Sequence, residues 1–358
     1  MTRRFICKIA LLAPVPLCVV LANVLVDPAG VFASREKREI AQHIARGYAV
    51  VAEGDIDSRQ VLRYYVQELS KAPEVLALGS SRTMTLSSEF FPAQSFFNAS
   101  VPAATLRDIV ANYQLFHEKA LKPRRVLIGV DPHFFNTHAD NRLYLAGEYR
   151  RAMHRLGLAS FSLIDWCHDW LDPRYLQAVS PAYFQVSLYA LPVLLTRGRP
   201  RAAFILDEAT PRKLLRPDGS LRYELSRRLR DLNDVERRAK RYVLRHPPEL
   251  LHFDHIHDDM RRIFEAFVTS LRADGIQVIF FLPPYHPSVY DALVNERSCV
   301  ILPIVEQYLR DFAEASGIPV YGSYDPIAGG LGAEDFYDAV HATPESIRAL
   351  FPDRSNAT

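Results

Sequence analysis

Three short apolar runs constrain the fold of this chain most: Val75-Leu76-Ala77-Leu78, Val126-Leu127-Ile128 and Val278-Ile279-Phe280-Phe281-Leu282. Each is too short for a stable helix and lacks the apolar–polar alternation of a strand with one wet face. Each therefore predicts a strand buried on both sides. Phe96-Phe97-Asn98 reads as another, and Ile318-Pro319-Val320-Tyr321 lies between the last amphipathic stretch and the C-terminal Asp-His loop. Amphipathic stretches lie between them, over Thr105 to Leu121, Asp258 to Ala273 and Val300 to Ser316. That alternation predicts an α/β fold of three layers, a central parallel sheet with helices on both faces. Residues 35 to 70 read as helical, because Ile40, Ile44, Val50, Val51, Val61, Tyr64, Tyr65 and Leu69 recur at helix-like spacing.

Residues 132–251 break the alternation and read as a helical insertion, a cap or substrate lobe. It holds aromatic stretches (Trp166, Trp170, Tyr175, Phe184, Tyr189), a turn at Arg216-Pro217-Asp218-Gly219-Ser220 and a charged helix from Glu224 to Arg245. The basic residues of that helix, among them Arg227, Arg228, Arg230, Arg237 and Arg241, are interleaved with acidic ones and read as a solvated face.

Ile9 to Val26 carries no charged residue and follows Arg3, Arg4 and Lys8. Roughly 20 apolar residues cross a bilayer as a helix. Pro14 and Pro16 interrupt the run, which membrane helices tolerate better than soluble ones. Basic residues before it and none directly after predict a cytoplasmic N-terminus with the bulk of the chain outside. Ala22-Asn23-Val24-Leu25 offers no small-x-small cleavage site, which favours an uncleaved anchor over a signal peptide. The expected organisation is a cytoplasmic N-terminus and transmembrane helix over 1–28, single-pass in the inner (cytoplasmic) membrane. A periplasmic or extracellular domain would follow over 29–358.

A formal net charge of +2, from 43 basic and 41 acidic side chains, makes no case for nucleic acid as a partner. The 4 cysteines lack metal-type spacing. Cys167 and Cys299, the two beyond the apolar N-terminus, are either a disulfide or separate thiols.

Two motifs far apart in the chain carry the chemistry: Gly79-Ser80-Ser81-Arg82 after the first strand, and Asp338-Ala339-Val340-His341 near the C-terminus. A serine hydroxyl needs an imidazole to take its proton, and the imidazole needs an acceptor to fix its tautomer. Ser81, His341 and Asp338 supply those three groups. Each residue also has a plainer reading: Ser81 as a helix N-cap at a strand–helix turn, and His341 as a loop histidine ahead of a helix start. His252-Phe253-Asp254-His255-Ile256-His257-Asp258-Asp259 offers metal-type ligands, yet its aspartates serve equally as acidic starters of the following helix. No metal or other cofactor is expected. His286, in Pro283-Pro284-Tyr285-His286, follows a buried strand and is expected to line the pocket.

The strand–Gly79-Ser80-Ser81 turn resembles block I of the SGNH (GDSL) hydrolase superfamily, and Asp338-x-x-His341 resembles block V. The resemblance implies Ser81 as nucleophile and oxyanion donor, His341 as base and Asp338 as its orienting partner. Phe97-Asn98-Ala99-Ser100 is similar to block II, which implies Ser100 as a second oxyanion donor through its backbone N–H. Gly129-Val130-Asp131-Pro132 stands where block III has Gly-x-Asn-Asp, so the usual asparagine is replaced. Arg82, Asn98, Asp131 and His286 are the expected substrate-binding residues, with a structural salt bridge to a carboxylate of the scaffold as the equal reading of Arg82. Gly-Ser-Ser-Arg, the apolar N-terminus and the Phe280 to His286 segment together look like the membrane-anchored members that modify cell-envelope polymers, the D-alanyl transfer proteins of teichoic acid and the alginate acetylation proteins. That likeness implies O-acyl transfer or ester hydrolysis on a carbohydrate polymer, beside a membrane-bound O-acyltransferase partner. The alternative is a non-catalytic protein that keeps the fold to bind polysaccharide or scaffold an acyltransferase.

Overall fold

The computed structural model describes residues 14–28, 32, 34–51, 57–138, 145–159, 177–197, 202–245, 247–250, 253–295 and 301–351. A five-stranded sheet forms the centre. It consists of β2 (Val75–Leu78), β3 (Phe96–Asn98), β4 (Arg125–Gly129), β8 (Gln277–Leu282) and β9 (Val320–Gly322), in the order β3-β2-β4-β8-β9. Every pairing in it is parallel. The expected central parallel sheet is therefore present.

Side chains alternate along each strand, so the apolar runs feed both faces. Leu76, Leu78, Val126, Ile128, Val278, Phe280 and Leu282 pack on one face. Val75, Ala77, Leu127, Ile279 and Phe281 pack on the other. The first face is covered by long helices. In chain order the helices are α1 (Pro14–Val26), α2 (Ser34–Ala45), α3 (Ser58–Glu68), α4 (Leu106–Glu118), α5 (Ala146–Arg155) and α6 (Pro181–Arg197). There follow α7 (Leu225–Arg228), α8 (Leu232–Leu244), α9 (Asp258–Ala273), α10 (Pro287–Asn295), α11 (Ile301–Ser316) and α12 (Pro344–Ala349). Apolar residues of α2, α3, α4, α9, α10 and α11 fill the first-face core. The second face is thinner: Leu86, Phe91, Val235 of α8, Phe336 and Ile347 of α12 cover it. Three layers are thus present, but one is built largely from loops and short helices.

The region expected to be helical through residue 70 is interrupted. Ala49–Val51 forms β1, which pairs antiparallel with β5 (Ala203–Ile205) and β6 (Leu214–Leu215); β6 in turn pairs with β7 (Leu221–Arg222). Val50 and Val51 have the β-branched shape that packs well on a sheet, and partners distant in sequence decide their conformation. The insertion is correspondingly not purely helical, since three of these four strands come from it. Its charged segment is also two helices, with Asp231 capping α8 through its side chain at Asn233 N.

Of the apolar N-terminal run, Pro14–Val26 is helical, and Ile9 to Ala13 lie outside the described residues. No helix among the described residues is long and apolar enough to cross a membrane. Cys167, Cys299, Trp166, Trp170, Tyr175 and His252 also lie outside them.

Candidate active site

From β2 the chain runs outward to β3 and then crosses back to β4 on the other side of β2, so the C-terminal ends of β2 and β4 flank a topological switch point, where open α/β sheets place their sites. Ser81 follows the end of β2. The turn carrying it is pinned by Thr83, which is fully buried and seated against Gly79 and Gly129. A Cβ at either glycine would overlap the Thr83 side chain. Glycine at the ends of β2 and β4 is therefore what lets the turn settle onto the sheet.

Ser81 Oγ lies 2.9 Å from His341 Nε2. His341 Nδ1 lies 2.8 Å from Asp338 Oδ1 and 3.1 Å from Oδ2. The carboxylate can only accept, so Nδ1 carries the proton and Nε2 is left to accept the Ser81 hydroxyl. The loop holding this pair folds on itself: Val340 N and His341 N both donate to Asp338 Oδ1, at 3.0 and 3.1 Å. Burial alone would raise the Asp338 pKa. The opposing charge and hydrogen bond of His341, the Arg227 guanidinium and the Val340 N–H outweigh it, and hold the carboxyl well below the usual carboxylate range. The structure thus brings together the three residues expected to act in sequence, from segments 260 positions apart.

The other expected site residues are placed differently. Arg82 is buried. It donates to Asp131 Oδ1 at 2.8 Å, to Val340 O at 3.3 Å and to Pro283 O, and its guanidinium stacks 3.9 Å from the Tyr285 ring centre. Asp131 is fully buried as its counter-charge. Of the two readings of Arg82, this contact is that of a guanidinium on a scaffold carboxylate, and the pair bolts the Ser81 turn, the end of β8 and the His341 loop together. Asn98 is likewise consumed internally, donating to Thr83 O and Leu86 O at 2.9 Å each and accepting from Ser100 N at 3.0 Å. That last bond occupies the backbone proton expected to serve an oxyanion, while the buried Ser100 hydroxyl has no partner among the described residues.

His286 does not line the crevice. Its side chain is fully buried, it stacks edge-on with Phe336, and its Nε2 lies 3.7 Å from Glu236 Oε2. Burial lowers its pKa, against the opposing pull of Glu236 and Asp338. In the acidic stretch before α9, Asp254 pairs with His255 at 2.5 Å, Asp258 with Arg261 at 2.7 Å, and Asp259 with Arg262. Among the described residues no group of His, Cys, Asp or Glu is arranged to hold a metal ion.

Arg227 is the residue that sequence reasoning missed. Expected on a solvated face, it donates to Asp338 Oδ2, and its Nη2 lies 3.2 Å from His341 Nδ1. Its guanidinium lies flat on Tyr223, 3.9 Å from the ring centre, and Tyr223 in turn meets His341 edge-on at 5.9 Å. The β6–β7 hairpin delivers this group. Asn98 N donates to Asp218 O at 2.7 Å, Leu221 N donates to Met84 O at 2.7 Å, and Gly219 supplies the left-handed turn with φ +77°. Only the turn signal at Asp218-Gly219 hinted that this stretch docks rather than extends into solvent.

No family model matches this chain, and no curated protein is significantly similar to it.

Proposed function

We propose that this protein is a serine-dependent O-acyltransferase or esterase with an SGNH-like fold, acting on a cell-envelope carbohydrate polymer. One observation carries the reading: the Ser81–His341–Asp338 relay, with both junctions at hydrogen-bond distance. Ser81 Oγ attacks the acyl carbonyl as its proton passes to His341 Nε2. The tetrahedral intermediate collapses, the bond to the leaving alcohol breaks, and Nε2 returns the proton to that alcohol. A polymer hydroxyl or water, deprotonated by the same nitrogen, then attacks the acyl-serine and frees Ser81.

The Ser81 N–H, which meets no acceptor among the described residues, is one oxyanion donor. The Ser100 hydroxyl replaces the backbone proton spent on Asn98 as the second. The charge-free run before Asp27 supports an anchored protein on the outer side of the cytoplasmic membrane, with a membrane-bound O-acyltransferase as acyl supplier.

The committed Ser100 N–H and the Asp131 that replaces the block III asparagine favour a second reading, a polysaccharide-binding or scaffolding protein. A fluorophosphonate probe separates the two. The wild type is expected to label at Ser81 and Ser81→Ala not at all; an unlabelled wild type would decide for the binding protein.

Arg227 has a positioning role in this scheme, since it steadies the Asp338 carboxylate that orients His341. A hydrogen bond to a charged group is worth about 1.5–3 kcal/mol. Arg227→Ala is therefore expected to lower kcat roughly tenfold to a hundredfold with little change in KM. Arg227→Lys should restore part of the loss, because it keeps the charge but not the planar fork. A large rise in KM at unchanged kcat would instead mark Arg227 as a substrate contact.

A further inference from the structure

Helices α1 and α6 pack against each other with their polarity inverted. At their seam lie Asn23 and Ser187, both fully buried, with Asp27 and Tyr183 also buried beside them. Asn23 Nδ2 donates to Gln177 O, Ala178 O and Ser180 O, Ser187 Oγ donates to Asn23 Oδ1 at 3.2 Å, and Tyr183 OH donates to Asp27 Oδ1 at 2.8 Å. The outward faces are aliphatic. Val15, Leu17, Leu21 and Leu25 on α1, and Val186, Leu188, Val193 and Leu195 on α6, are each about half exposed or more. Water-soluble helices bury the apolar stripe and show the polar one. Polar groups inside and aliphatic groups outside suit a solvent that cannot hydrogen-bond.

We propose that the α1–α6 pair is embedded in the hydrocarbon of a lipid bilayer, with α6 as a second membrane-seated helix that no crossing prediction would find. Neither helix contains a charged residue before Arg197. The Tyr183–Asp27 and Ser187–Asn23 contacts step forward on one helix and back on the other, so the two run antiparallel. The N-terminal end of α1 and the C-terminal end of α6 therefore coincide. Pro192 inside α6 is of a kind that membrane helices accommodate.

Helix α6 does not cross. Its 17 residues reach about 26 Å, short of the ~30 Å hydrocarbon core. Strand β5, hydrogen-bonded to β1 in the main domain, begins only six positions after Arg197. Helix α6 therefore enters from the domain side and returns to it, resting against α1.

The full-length chain, with its native cysteines replaced by serine, tests this. A nitroxide is placed by Leu188→Cys, Val193→Cys or Leu195→Cys, and by Leu244→Cys as an exposed control on α8. Each protein is reconstituted into vesicles of phosphatidylethanolamine and phosphatidylglycerol. The three α6 labels should collide several-fold more with oxygen than with a water-soluble nickel chelate, and the Leu244 label the reverse. Nickel exposure on α6 equal to that of the control would place α6 in water. Immobile labels shielded from both reagents would place it against a second protein or another copy. Either result overturns the proposal, and neither bears on the chemistry of Ser81.

Discussion

Replacing Ser81 or His341 by alanine is expected to reduce acyl transfer by about 10³–10⁶-fold while leaving the fold intact. The reason is local. The Ser81 side chain has one polar contact among the described residues, His341 Nε2, so removing its hydroxyl leaves no buried group stranded. Asp338→Asn should lose about 10⁴-fold, since an amide can donate to Nδ1 and stabilise the wrong tautomer. The effects will not add, because the three residues act as a unit. Asp338 is held well below the usual carboxylate range and stays ionised throughout the working pH range. The acid limb of the pH–rate profile should accordingly show no inflection from Asp338. A turnover assay on the three variants and a pH series on the wild type check all of this. Full activity in Ser81→Ala would end the acyl-serine scheme.

The second large effect concerns stability. Arg82→Ala or Asp131→Ala is expected to cost about 3–5 kcal/mol, because each strands its partner's charge in a buried site. Arg82 holds three acceptors on different segments as well as the Tyr285 ring, so Arg82→Lys should recover little. The double variant Arg82→Met, Asp131→Leu should be more stable than either single alanine variant, since both charges leave together. Denaturant midpoints of the purified proteins measure this. Near-wild-type stability for Arg82→Ala would mean the guanidinium is free for substrate after all.

The fold was most legible where burial alone determines structure. The runs at Val75, Val126 and Val278 had no other way to hide so many apolar side chains, and the helix Asp258–Ala273 shows the same boundaries in sequence and structure. The Ser81, Asp338 and His341 relay was legible because each residue type has a narrow chemical use. The bond from the Ser100 N–H to Asn98 was not legible, because a family pattern names a backbone proton but cannot say which neighbour holds it. Arg82 was readable either as a ligand or as the partner of a scaffold carboxylate, and only the packing shows Asp131 to be that partner. Arg227 was hidden among like residues; a single tertiary contact distinguishes it from Arg237, which pairs with Asp234 in its own exposed helix. β1 was unreadable because its partners lie more than 150 positions away.

The seat of Thr83 between two glycines has a mechanical consequence. The turn that carries the hydroxyl is wedged against two strand ends and cannot shift unless they part. The segment from Tyr223 to Arg230 is held instead by side-chain contacts, of Arg227 with the Tyr223 ring and Asp338 and of Arg230 with the Tyr337 ring. Side chains reorient more readily than strand ends part, so in the proposed reaction the adjustment to an acceptor falls to that segment while the serine stays still.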